Sequence, residues 1–110
     1  MADFPPVQGD AMTGYVENPT VYCATGQMSE PTGSPHVRGV EFRLPRFRQA
    51  PVVSLQITAP HGSSMLGIYA VKVNDNVSGQ TQVAVEAQTI KGGPAHGEHF
   101  CSIVVTGFPL

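Results

Sequence analysis

The sequence holds 110 residues, of which 41% are hydrophobic and only 13% charged, with a formal net charge of −2. That length supplies one core and hardly two, and the hydrophobic share excludes a disordered chain. A slightly acidic balance argues against a basic nucleic-acid surface, and no apolar run approaches the ~20 residues that cross a bilayer, so neither nucleic-acid binding nor membrane insertion is expected.

The first segment, residues 1–35, holds Pro5, Pro6, Pro19, Pro31 and Pro35, and proline donates no hydrogen bond to a sheet. Phe4, Val7, Met12, Tyr15, Val16, Val21 and Tyr22 make the same segment too apolar for a free tail. An extended arm packed on its own domain or on a neighbouring subunit satisfies both observations, with a short strand from Thr20 to Ala24 opening the sheet. The run Met1-Ala2-Asp3-Phe4-Pro5-Pro6 lacks the basic and apolar regions of a signal peptide. Cytoplasmic synthesis is expected, followed by a place in a virion or release by a non-classical route.

From residue 36 the period becomes two, the pattern of half-buried strands. Val37 to Leu44 places Val40 and Phe42 on one face and Glu41 and Arg43 on the other. Val53, Leu55 and Ile57 alternate with Ser54, Gln56 and Thr58. Tyr69, Val71 and Val73 alternate with Ala70, Lys72 and Asn74, and Val83, Val85 and Ala87 with Ala84, Glu86 and Gln88. In the last run Cys101, Ile103 and Val105 face away from Phe100, Ser102, Val104 and Thr106. Turn chemistry separates the runs at Pro45 to Pro51, Pro60 to Ser64, Asn74 to Gly79 and Gly92 to Gly97. No stretch shows helical spacing. The expected fold is all-β: an antiparallel β-sandwich of about six strands over residues 36–110, with an extended Pro/Gly-rich N-terminal arm over 1–35.

The chemistry available is sparse. His96-Gly97-Glu98-His99 offers two imidazoles and a carboxylate, but a loop bearing Gly93, Pro94 and Gly97 guarantees no common face for a metal. It reads as a solvated loop, and no metal or other cofactor is expected. His61 lacks a Gly-x-Ser-x-Gly nucleophile elbow as partner, and His36 reads as capping a strand edge. Eight carboxylates, mostly in loops or on exposed strand positions, give little basis for a catalytic acid pair. No phosphate-cradling glycine loop leads into a helix. No catalytic residue is therefore assigned. Arg38, Arg43, Arg46 and Arg48, interleaved with Phe42 and Phe47, read as a solvated strand edge and turn. Cys23 and Cys101, each inside a strand-like run, read as buried thiols, with a single bridge between them left open. Tryptophan is absent. The rings that could pack on a sugar are Tyr69, Phe100, Phe108, Tyr15 and Tyr22, each of which serves equally as core or interface.

The run Val40-Glu41-Phe42 to Phe47, followed by Ala50-Pro51-Val52-Val53-Ser54-Leu55, resembles the opening of the H-type lectin domain. Tyr69-Ala70-Val71-Lys72-Val73, the Asn76-Val77 turn, the Val83–Ala87 strand and Ile103-Val104-Val105-Thr106-Gly107 extend the resemblance over residues 39–107. Two features depart from the family pattern. Its tryptophan-bearing last strand reads Cys101-Ser102-Ile103-Val104-Val105 here, and Gly79-Gln80 replaces the Gly-Phe pair after the turn.

The resemblance implies a six-stranded sandwich assembled as trimers, often paired into hexamers, with sugar sites near subunit boundaries at one end. It implies a ligand site around His96, Glu98, His99 and Phe100, with Arg38 or Arg43 as hydroxyl donors. The first expectation is a non-enzymatic module that binds a glycan or cell-surface receptor as an oligomer. The alternative is a structural assembly protein of a phage tail, fibre or capsid decoration, with other virion proteins as partners. A small metal-dependent enzyme using the histidines comes third.

Overall fold

The computed structural model describes residues 17–31 and 33–110. Among them, six strands follow one another without a helix: β1 (Thr20–Met28), β2 (Val37–Leu44), β3 (Val52–Thr58), β4 (Leu66–Val77), β5 (Gln80–Thr89) and β6 (His99–Gly107). They form two three-stranded sheets, β1-β6-β3 and β2-β5-β4, in which every pairing is antiparallel. The chain is the all-β, antiparallel sandwich expected from its alternation.

The two central strands show why. On β6, Cys101, Ile103 and Val105 are buried while Ser102 and Val104 are exposed. On β5, Thr81, Val83, Val85, Ala87 and Thr89 are buried, with Gln82, Ala84, Glu86 and Gln88 on the other face. A strand with neighbours on both sides and a sheet across from it must hide one whole face, so its period of two is strict. Met28, Phe42, Leu44 and Phe47 complete the core between the sheets. Each such side chain contributes about 1.5–3 kcal/mol by leaving water. Tyr22 meets Phe47 edge-on, with centroids 5.7 Å apart and the rings at 89°, a favoured aromatic geometry.

Two elements are longer than their sequence pattern indicates. β1 continues past Ala24 to Met28, pairing with β6 from Thr20↔Gly107 to Met28↔His99. Gly26 permits this, because a Cβ there would stand 3.0 Å from Val40 Cγ2 and 3.3 Å from the Phe42 ring. Residues 20–28 of the segment read as an arm are thus an edge strand of the sandwich. Residues 1–16 lie outside the described residues. β4 begins at Leu66, before its alternation sets in, and its register against β5 shifts between Leu66 and Ile68 and again between Asn74 and Val77. The β4–β5 hairpin closes through Ser78-Gly79 with φ of 52° and 83°, the pair of left-handed residues that a type I′ turn requires.

The two long sides of the sandwich differ. On one side β1 and β2 approach closely, and just beyond β1 Ser29 and Gly39 exchange backbone hydrogen bonds of 2.9 and 2.8 Å. On the other side β3 and β4 are not joined. Tyr69 and Val71 share the register of buried Ala87 and Val85, yet remain 55% and 39% exposed. Val53, Leu55 and Ile57 of β3 are half-buried. This open seam is a property of three-dimensional packing that the alternation along β4 does not reveal.

Candidate functional site

Strand direction sorts the connections into two ends. The β1–β2, β3–β4 and β5–β6 loops share one end, while the β2–β3 connection, the β4–β5 turn, the start of β1 and the C-terminus share the other. The three-loop end is braced by hydrogen bonds between loops distant in sequence. The Ser64 N–H donates to the His96 carbonyl at 2.9 Å, and the His96 N–H returns a bond to Ser64 Oγ at 2.8 Å. The Ala95 N–H donates to Pro35 at 2.9 Å, and the Thr89 N–H donates to His36 at 3.1 Å. Thr89 Oγ1 donates to the Gly93 carbonyl at 2.7 Å.

Two of the six residues expected to meet a ligand are part of this brace. Arg38 is buried, and its guanidinium donates to the carbonyls of Ala95 at 2.9 Å and Val37 at 3.2 Å, and to Glu30 at 3.4 Å. His99 is wholly buried, with Nε2 2.6 Å from the Ser64 carbonyl. Because a carbonyl only accepts, Nε2 carries the proton, and the buried Nδ1 has no partner among the described residues. Both side chains hold loops together from inside.

His96 and Glu98 are exposed on the β5–β6 loop. Phe100 is half-buried on the outer face of β6, opposite Gln27 and Thr58. Arg43 is exposed near the far end of β2 and pairs with Glu41 at 3.4 Å. Five residues of strand separate it from Arg38, about 17 Å, so Arg43 does not join the others. Among the described residues, no three His, Cys, Asp or Glu side chains are placed to share a metal ion.

The loop end holds an open hollow of about 360 Å³ between Ser64, Met65, Ile90, Lys91, Gly93 and Pro94. Met65 is 71% exposed and Ile90 is 56% exposed. Ile90 rests on Gly67, where a Cβ would come within 2.3 Å of its Cγ1, so the missing side chain of Gly67 seats the isoleucine. None of these residues stands out in the sequence, because Met65 and Ile90 fall at strand ends where the alternation breaks. The usable signal is the turn chemistry around Gly62 and Gly92, which marks both loops.

A second surface is unusual in its charge. The outer face of β1-β6-β3 carries Val21, Cys23, Thr25 and Gln27, then Phe100, Ser102, Val104 and Thr106, then Val52, Ser54, Gln56 and Thr58, without one ionisable group except the Cys23 thiol. Val21, Val52 and Val104 are exposed there. The outer face of the other sheet bears Glu41, Arg43, Lys72 and Glu86.

The two cysteines divide by parity. Cys101 is buried, and desolvation pushes its thiol upward, whereas Cys23 is exposed opposite Val104. The expectation of a buried thiol therefore fails at Cys23, because on an edge strand the core-facing positions are Tyr22 and Ala24. With the two thiols on opposite faces of one sheet, both are free. No helix among the described residues is long and apolar enough to cross a membrane. In comparison with known proteins, the chain matches no protein-family model, no curated protein and no solved structure.

Proposed function

We propose that this chain is a non-enzymatic binding module, resembling the H-type lectins, that engages a glycan or cell-surface receptor through its three-loop end and acts as an oligomer. The observation that carries the reading is the braced hollow. Loops tied to one another by hydrogen bonds lose little further entropy when a ligand arrives, and they leave exposed apolar groups beside polar ones. Met65 and Ile90 offer apolar surface to the C–H face of a sugar ring. Lys91 and the Ser64 hydroxyl offer hydrogen bonds, with His96 and Glu98 exposed on the adjoining β5–β6 loop. Arg38 and His99 serve as the frame that sets loop positions.

The test is a glycan-array screen of the full chain followed by calorimetry on any hit, repeated with Lys91→Ala and Met65→Ala. Both side chains are exposed, so the fold is expected to persist while the saturable response weakens. An array without a hit, or a hit indifferent to both substitutions, refutes this placement.

A second reading, a structural component of a phage tail, fibre or capsid decoration, is favoured by the outer face of β1-β6-β3. A face without charge and with three exposed valines suits burial against another protein chain. Val104→Asp at its centre separates the two roles. If assembly is the function, solution mass and incorporation fall with no glycan response to lose.

A further inference from the structure

The hollow at the loop end is unbalanced in its hydrogen-bonding groups. Its lining residues carry no carboxylate, and four of their acceptors are already taken within the protein. The Thr89 carbonyl accepts from the Gly92 N–H at 3.3 Å, the Gly93 carbonyl from Thr89 Oγ1 at 2.7 Å, and the Ser64 carbonyl from His99 Nε2 at 2.6 Å. Ser64 Oγ accepts from the His96 N–H at 2.8 Å, which leaves the hydroxyl its own proton to give. Donors are left over, and they are of two kinds.

The first is the Lys91 ammonium. Arg38, Arg43, Arg46 and Arg48 are each paired with a carboxylate, those of Glu30, Glu41, Asp75 and Glu17. Lys72 lies on the charged outer sheet face, in the row of Glu41 across Ala84. Lys91 has no ion pair or hydrogen bond among the described residues, and Glu98 lies outside the lining of the hollow. The second kind is backbone. Thr89–Gly92 is a β-turn closed by the 3.3 Å bond, and neither Ile90 nor Lys91 has a positive φ, which makes it type I. Gly92 follows at φ 78°. A right-handed residue followed by a left-handed one forms a nest, whose successive N–H groups turn into one anion-binding concavity. The N–H groups of Lys91 and Gly93, on either side of Gly92, have no partner among the described residues, and both residues line the hollow.

We infer that the loop-end hollow selects an acidic sugar, whose carboxylate or sulfate sits against the Lys91 ammonium and the N–H groups of Lys91 and Gly93 while its ring lies on Met65 and Ile90. An ionised oxyanion only accepts, so it matches a lining with donors left over, and a bond from a charged donor is the strong kind. A neutral sugar hydroxyl instead brings a donor of its own to a site whose acceptors are taken. The inference rests on the glycan reading and narrows its ligand class.

The test is calorimetry of the full chain with matched probes: oligogalacturonate against its carboxyl-reduced form, sialyllactose against lactose, and a sulfated disaccharide against its desulfated form. At least one acidic member is expected to bind about tenfold or more tighter than its neutral partner, and the pair that shows it tells whether carboxylate or sulfate is taken. Lys91 is exposed, so its variants are expected to fold as the parent does by circular dichroism. Lys91→Gln is expected to erase the ratio and Lys91→Arg to retain it. Amide NMR of the parent chain adds the position: the acidic member is expected to shift the Lys91 and Gly93 amides most, and shifts centred elsewhere overturn the inference. Binding of neutral glycans alone, equal binding within every pair, or a ratio that survives Lys91→Gln overturns the inference and leaves the glycan reading standing. A chain that binds none of these probes and no glycan on an array overturns both.

Discussion

Replacing His99 with alanine separates a structural histidine from a ligand-binding one. The imidazole is fully buried at the start of β6 and its Nε2–H meets the Ser64 carbonyl at 2.6 Å. Its removal strands that carbonyl, at about 1–3 kcal/mol. It also leaves a cavity the size of a ring in a place where the Ser64–His96 hydrogen bonds restrict collapse, adding on the order of 1–2 kcal/mol. A total near 3 kcal/mol corresponds to a fall in Tm of roughly 12–24 °C for a domain of this size. Urea and thermal denaturation followed by circular dichroism measure it, with His96→Ala as the exposed control, expected to change stability by less than about 0.5 kcal/mol. A stable His99→Ala protein, with a loss below that same figure, would refute the assignment of His99 to the frame.

Other perturbations have equally definite outcomes. Arg38→Ala removes the clamp on the Ala95 and Val37 carbonyls; a loss of about 2–3 kcal/mol in urea denaturation is expected, with faster exchange of the Ala95 amide. Gly67→Ala drives a methyl into Ile90 and pushes that side chain toward the hollow; a cost of about 1–2 kcal/mol is expected by denaturation, together with weaker ligand binding. Burial holds the Cys101 thiol above its ordinary 9.0. The native state therefore keeps a proton that the unfolded chain releases, so stability is full below pH 9 and is lost as pH rises toward and through the folded value. Denaturation of Cys101→Ala across pH 8 to 11 is expected to show a shallower alkaline decline than the parent chain, and an identical decline would contradict the assignment.

The sequence is most informative where a strand is packed on both sides. Ile103 and Val85 lie on central strands, and their neighbours alternate without exception because any slip would expose the whole core face. Edges are less legible. Thr25-Gly26-Gln27 has no apolar pattern to declare a strand, and β1 reaches Met28 because β6 offers partners and Gly26 lets β2 come close. The Met65-Leu66-Gly67-Ile68 run is apolar on both parities, which hides the start of β4.

The loop end was legible as a place but not in its parts. Arginine and histidine are residues that usually face water, yet Arg38 and His99 lie inside because carbonyls of remote loops await donors there. No local pattern encodes a bond between His99 and Ser64, thirty-five residues apart. Met65, Ile90 and Lys91 acquire meaning only once two loops are drawn together.

The most direct test of the central claim is the glycan array, read for the parent chain and for Lys91→Ala side by side. The account predicts a saturable response to a restricted set of glycans that weakens sharply in the variant while the circular dichroism spectrum stays unchanged. A folded parent chain that binds nothing on the array would contradict the glycan reading and leave the uncharged β1-β6-β3 face, and an assembly role, as the reading to pursue.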